Sequence, residues 1–204
     1  MPLAEVQKLL KSRVHEHRAV ALRILVLRFE KGSPAERERV FKLYLASTKW
    51  VNNWDLVDLS APDIVGAYLL ERDRKILYEL ANSCNLWERR IAIISTYAFI
   101  RDGDYSDTLK IAEILLNDGH DLVHKAVGWM LREIGNRDLE AEEKFLKRHA
   151  CSMPRVMLRY AIEKFPNEKR EFYLKIKNLA KLARIELREL LNSRELILKR
   201  VKAA

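Results

Sequence analysis

Glu88–Ala98 reads ERRIAIISTYA: two arginines, then an almost unbroken apolar face. Three other stretches share that make-up: HRAVALRILVL from His17, VHKAVGWMLRE from Val123 and PRVMLRYAIEK from Pro154. Each sets a basic residue beside or within an Ala/Ile/Leu-rich face. The step from Arg18 to Arg90 is 72 residues, twice 36, and the next step, to Lys125, is 35. Trp54 falls at the missing midpoint, 36 after Arg18. A period of this length, with two helices per unit, is the signature of a helical-repeat solenoid. One unit cannot bury its apolar face alone, and stacking on the next unit buries it. The expected fold is therefore all-α, a solenoid (α-α superhelix) of antiparallel helix pairs with a concave basic groove. The rival architecture is an irregular helical bundle.

The rest of the chain agrees with a helical reading. Among 204 residues there are only 6 glycines and 5 prolines, and Leu, Ala, Glu, Lys and Arg dominate. Short polar stops fall at 31–34, 82–85, 102–104, 117–119, 135–138, 152–154 and 166–167. Gly135, after LREI, is expected at a helix C-cap. Asp104 and Asp138 are expected to cap the helices that follow them. No run approaches the length of a membrane span, and MPLAEVQKLLKSR lacks the apolar block of a signal peptide. Cys84 and Cys151 match no metal or redox spacing, and are expected to be buried thiols in a reducing cytoplasm. His120 and His124 lack a third ligand, and no phosphate-binding, dinucleotide or zinc-finger pattern occurs. No metal and no cofactor are expected. The net charge of +9 favours a polyanionic partner without selecting one.

Equivalent positions of successive units line one side of a stack, so Trp54, Arg90 and Lys125 are expected on the same side. Trp129 lies one turn beyond Lys125 on the same helical face. Trp54 and Asp58, spaced i and i+4, also share a face. Asp55 points elsewhere, and Trp50 falls near the preceding turn. Pro62 and Gly66 interrupt or end this helix. Read alone, Trp54 is as well explained by a core, and Asp58 by a salt bridge. Arg90, Lys125 and Arg132 are candidates for one cationic face, with Arg155 and Arg159 as further candidates. So dispersed a set suits phosphates rather than base edges. From Asn167 to Ala204 the chain carries eleven Lys or Arg against five Asp or Glu. This amphipathic extension, 167–204, would cap the stack or add phosphate contacts. The chain is expected to form one domain over 1–204.

Four blocks in order carry a resemblance: NNWDLVD at Asn52–Asp58, LWERRIAI at Leu86–Ile93, KAVGWMLRE at Lys125–Glu133 and MPRVMLRYAIEKF at Met153–Phe165. Over about 17–165 the chain resembles the bacterial DNA alkylation repair family, the HEAT-like-repeat alkylpurine DNA glycosylases. The resemblance implies excision of N3- and N7-alkylated purines from double-stranded DNA without base flipping, in base excision repair. It implies Asp58 as the catalytic carboxylate, and Trp54 and Trp129 against the lesion's deoxyribose. It places Arg90 and Arg132 at the DNA backbone. The partner implied is duplex DNA containing alkylated bases, with the protein on the nucleoid through DNA and no membrane. The residues suit that chemistry: a fixed carboxylate opposes the charge of an oxocarbenium sugar, and an indole face attracts a cation.

The chain departs from the family at its start. Members carry two or three further helices, and an aromatic residue near the lesion, before the stretch matching His17; here about sixteen residues precede it. An uncovered first repeat is expected to associate with a second copy. Two other functions use the same features. One is a non-catalytic binder of distorted or branched DNA, which would not need Asp58. The other is a protein-binding repeat scaffold, whose groove would be apolar or mixed.

Overall fold

The computed structural model describes residues 1–176, and among these the regular backbone is helical, with no strand. The chain begins with α1 (Leu3–Leu10), α2 (His15–Lys31) and α3 (Pro34–Leu45). A 3₁₀ turn at Thr48–Trp50 leads to the short α4 (Trp54–Asp58), and a π-helical turn at Pro62–Gly66 runs into α5 (Ala67–Leu69). Then come α6 (Lys75–Ala81), α7 (Leu86–Ser95), α8 (Tyr97–Arg101) and α9 (Ser106–Ile114). The last are α10 (Asp121–Gly135), α11 (Leu139–His149) and α12 (Arg155–Ala161). The expected stops separate helices because they carry cap chemistry. Ser33 accepts from the Glu36 N–H with Pro34 at the first helical position, Asn85 accepts from Trp87, and Asp138 accepts from Ala141.

One row of helices, α2, α4, α7, α10 and α12, packs each member on the next. α1 and α3 pack on α2, α6 on α7, and α11 on α10. The result is a helical-repeat, HEAT-like arrangement. Its repeats show in recurring local chemistry. Before α2, Ser12 Oγ accepts from the Val14 N–H at 3.2 Å. Before α7, Ser83 Oγ accepts from Asn85 at 3.0 Å, and before α10, Asp118 Oδ1 accepts from His120 at 2.8 Å. A side chain in the first turns of the next helix then reaches back to that loop. Arg18 donates to the Ser12 and Arg13 carbonyls, Arg89 to those of Ser83 and Cys84, and His124 to that of Asp118. The structural equivalent of Arg18 is thus Arg89, one place from the Arg90 that the sequence period aligned with it.

The core follows helical spacing. In α10, Val123, Ala126, Val127, Met130, Leu131 and Ile134 are buried, a continuous apolar stripe. Gly128 lies in that stripe for another reason. A Cβ there would overlap the Met157 carbonyl oxygen and the Tyr160 Cβ, so α12 can approach α10 only where this residue has no side chain. Gly66 does the same for the π-helical turn, which abuts the Ser95 carbonyl and Ala98.

Several local expectations change. Gly135 is the last residue of α10 rather than its cap, which is Asn136. It is glycine because the Glu142 carboxyl oxygen occupies the space a Cβ would need. Asp104 stands one residue before Tyr105, the N-cap of α9, yet still serves the helix start. It accepts from the Ser106 N–H and hydroxyl and pairs with Arg74 at 2.5 Å. Cys84 and Cys151 are exposed, not buried, because both lie in loops between helices. The start of the basic extension is helical over 167–176. There Tyr173 packs on Phe165 with ring centres 5.8 Å apart, and Arg155 donates to the Leu174 carbonyl at 2.9 Å. The remainder of that extension, 177–204, lies outside the described residues.

Candidate active site

The row of helices brings distant residues to one cleft of about 310 Å³, lined by Trp54, Asp58, Arg90, Leu122, Lys125, Trp129, Arg132 and Tyr160. α4 contributes the first two. Asn53 accepts from the Trp54 N–H at 2.8 Å and starts this five-residue helix, so Trp54 and Asp58 project from one face a turn apart. Asp55 turns away and meets His15 Nε2 at 2.7 Å. Trp50 belongs to the preceding 3₁₀ turn.

Asp58 is held by Arg90 through a bidentate pair. Nε donates to Oδ1 at 3.0 Å and Nη2 to Oδ2 at 2.7 Å. Nη1 donates to the Leu122 carbonyl, so one guanidinium joins α4, α7 and the start of α10. Arg90 is only 5% exposed, and its fork is taken up by these partners. The position expected to meet a neighbouring phosphate therefore sits behind the carboxylate and fixes its plane. Burial pushes the Asp58 carboxyl above its ordinary value, while Arg90's hydrogen bonds and charge oppose that rise and the Asp55 charge adds to it.

The other cations lie nearer the rim, each with an acidic partner. Lys125 Nζ is 3.2 Å from Asp121, and Arg132 pairs with Glu163. Arg155 and Arg159 are exposed on α12 and do not line the cleft. Two lining residues had no expected role, Leu122 and Tyr160. The signal for Tyr160 was Gly128: a glycine inside an apolar helical stripe marks a close neighbour, but the sequence does not say which. Among the described residues, no group of three His, Cys, Asp or Glu side chains could hold a metal ion, and no helix is long and apolar enough to cross a membrane.

The model of the DNA alkylation repair enzyme family matches residues 2–165. The chain belongs to this DNA alkylation repair family. The match starts before His17, where the expected resemblance began, and takes in α1. A similar solved structure is described as a predicted DNA alkylation repair enzyme from Enterococcus faecalis. It superposes with a TM-score of 0.65 at 16% identity, covering 81% of this chain and 76% of that one, which bears on the fold alone. A search of curated proteins gave no match. Membership in this family supports a role in DNA repair.

Proposed function

We propose that the protein is a DNA glycosylase that excises positively charged N3- or N7-alkylated purines from duplex DNA without flipping the base out of the stack. The observation that supports this best is a fixed carboxylate, Asp58, in a cleft walled by Trp54 and Trp129. Alkylation gives the purine a formal positive charge, so it leaves as a neutral base without being protonated first. The C1′–N bond breaks with both electrons going to the base, and the sugar becomes an oxocarbenium ion. Asp58 opposes that charge where it develops, and the indole faces attract it. Water adds at C1′ and loses a proton, which Asp58 accepts or passes to solvent.

Arg90 serves this reaction by orienting Asp58. Lys125 and Arg132 take DNA phosphates by exchanging their acidic partners for them. Because Asp58 is negative, it disfavours the polyanion in the ground state and favours the cationic sugar later. That is the differential stabilisation that catalysis requires.

The test is single-turnover release of 7-methylguanine by the wild type, Asp58→Asn and Asp58→Glu, with duplex affinity and melting temperature measured alongside. Loss of the preorganised charge in Asp58→Asn should cost on the order of 10²–10³ in rate while duplex affinity is kept. Asn leaves the buried Arg90 without a counter-charge, so some loss of stability is expected. Glu keeps that charge but moves it, so a folded Asp58→Glu protein with slow release separates position from stability. Equal rates for wild type and Asp58→Asn would remove Asp58 from the mechanism. Release should also fall in acid, with a midpoint above the value of about 4 for an ordinary aspartate. A midpoint at or below that value would mean Asp58 is not the titrating group.

A further inference from the structure

The Trp129 wall of the cleft is held by side chains that the chemistry above does not use. Trp129 Nε1–H donates to Glu133 Oε1 at 3.1 Å, one turn further along α10. The other Glu133 oxygen accepts from Arg137 Nη1 at 3.0 Å, and the same nitrogen donates to the Glu133 carbonyl at 2.8 Å. Tyr97 packs beside the indole with ring centres 6.1 Å apart. Its own ring carries two guanidinium groups, Arg101 at 5.2 Å and Arg137 at 5.8 Å. Arg101 is fixed in turn by Asp63 at 3.0 Å. Glu133 and Tyr97 thus touch the indole, and behind them stand Arg137 from the loop after α10, Arg101 from α8 and Asp63 from the π-helical turn. Trp54 is 53% exposed, and among the described residues no side chain bonds to or stacks on its ring.

We propose that Glu133 is a positioning residue that acts through Trp129. An indole has two free side-chain torsions. Turning the ring over would carry Nε1 away from the carboxylate, so the hydrogen bond selects one orientation of the ring. Arg137 keeps Glu133 from rotating away, and Tyr97 restricts the ring's remaining motion. A cationic nucleotide entering the cleft then meets an indole face already in place. That ordering is done in folding rather than in binding or in the transition state. The catalytic consequence rests on the glycosylase reading; the clamp itself rests on geometry alone.

The test compares Glu133→Leu, which removes the acceptor, with Glu133→Gln, which keeps an acceptor oxygen. The first readout is the indole ¹H–¹⁵N resonance of Trp129, assigned through Trp129→Phe. The others are duplex affinity, melting temperature and single-turnover release of 7-methylguanine. In Glu133→Leu the resonance should move upfield, and release should slow on the order of 10- to 10²-fold, the scale of a misplaced contact. Duplex affinity should change little. Glu133→Gln should keep the resonance near its wild-type place and recover most of the rate. An unmoved resonance in Glu133→Leu overturns the clamp. A moved resonance with undiminished release overturns the positioning role. Parallel losses of rate and melting temperature in both variants would reduce Glu133 to a structural residue. If the wild type releases no purine, the glycosylase reading fails, and the resonance still decides whether the clamp exists.

Discussion

Trp54 and Trp129 line the same cleft, yet the chain holds them in opposite ways. Trp54 starts a helix of 5 residues, exposes half its surface, and among the described residues no side chain bonds to or stacks on its ring. Trp129 sits deep in a helix of 15 residues, hydrogen-bonded to Glu133 and packed beside Tyr97. The difference comes from the repeats that carry them. α10 has a full apolar stripe and closes on α12 through Gly128, so its outward side chains start from a fixed backbone. α4 is cut short by the turn at Pro62–Gly66, and it owes its place largely to the Asp58–Arg90 pair and the burial of Leu56 and Val57. One wall of the cleft has its indole held by neighbouring side chains, and the other does not. A repeat protein achieves this by shortening one unit without adding a loop.

The foundation of the Trp129 wall offers the largest effect. Gly128→Ala would push a Cβ against the Met157 carbonyl and Tyr160, and overpacking of this kind costs about 1–3 kcal/mol. The melting temperature should drop by several degrees. Gly119→Ala, where a Cβ would meet open space, is the control and should melt like the wild type. Similar melting of the two variants would mean that α12 can yield and that the wall is not fixed.

The tryptophans themselves give the next effect. Trp129→Ala should lose about 1–2 kcal/mol of stability, because it empties a half-buried, hydrogen-bonded place. Trp54→Ala should stay within about 0.5 kcal/mol, as exposed positions do. Both should slow purine release. Equal losses of stability in the two variants would erase the distinction between the walls.

A pH-dependent effect lies under the far end of α10. Glu142 is 1% exposed, its Oε1 has no hydrogen-bond partner, and it packs against Gly135. Burial pushes its carboxyl up to about 9 from an ordinary 4.5, the Glu143 charge adding to the rise and Arg132 opposing it. Between those values the folded protein keeps a proton that the unfolded chain releases. Stability contributed by the neutral acid is therefore lost as pH rises through that interval. Melting temperatures measured from pH 5 to 9 should fall, and Glu142→Gln should flatten the fall. An unchanged slope would show that Glu142 is not the group responsible.

The fold was legible because stacking repeats must place apolar faces at a fixed period, and four such faces stand in the sequence. The register was harder. Arg18 and Arg90 look alike, but the loop contacts that define the repeat belong to Arg18, Arg89 and His124, and a histidine in an arginine's place hides the match. The cleft residues Trp54, Asp58, Arg90, Lys125, Trp129 and Arg132 were legible as a set, because the period aligned Trp54, Arg90 and Lys125 and helical spacing supplied the rest. Their individual relations were not. Whether an arginine meets a phosphate or a carboxylate depends on a partner 32 residues away in sequence, as in Arg90 and Asp58. Gly135 shows a related limit: a glycine after a helical run has the same signal whether it caps the helix or makes room for Glu142.

The smallest effect concerns charge, and it separates cations inside the cleft from those outside. Each phosphate neutralised by a free cation steepens the dependence of log affinity on log salt by about 0.9. Lys125 is not free, since Asp121 already stands 3.2 Å away and its carboxyl is lowered first by that hydrogen bond. When DNA takes Lys125, the aspartate loses its partner and draws a cation from solution, so fewer ions are released overall. Arg159 is exposed, and among the described residues it has no acidic partner. If both touch phosphates, Arg159→Ala should flatten the salt dependence by close to about 0.9, and Lys125→Ala by clearly less. Asp121→Asn should steepen it and tighten duplex binding at low salt, because it frees Lys125 while leaving the cation in place. The measurement is duplex affinity across a salt series for the three variants. A full-sized change for Lys125→Ala together with no change for Asp121→Asn would show that the pairing with Asp121 gives way without consequence. The rim of the Trp129 wall would then act as an ordinary cationic surface.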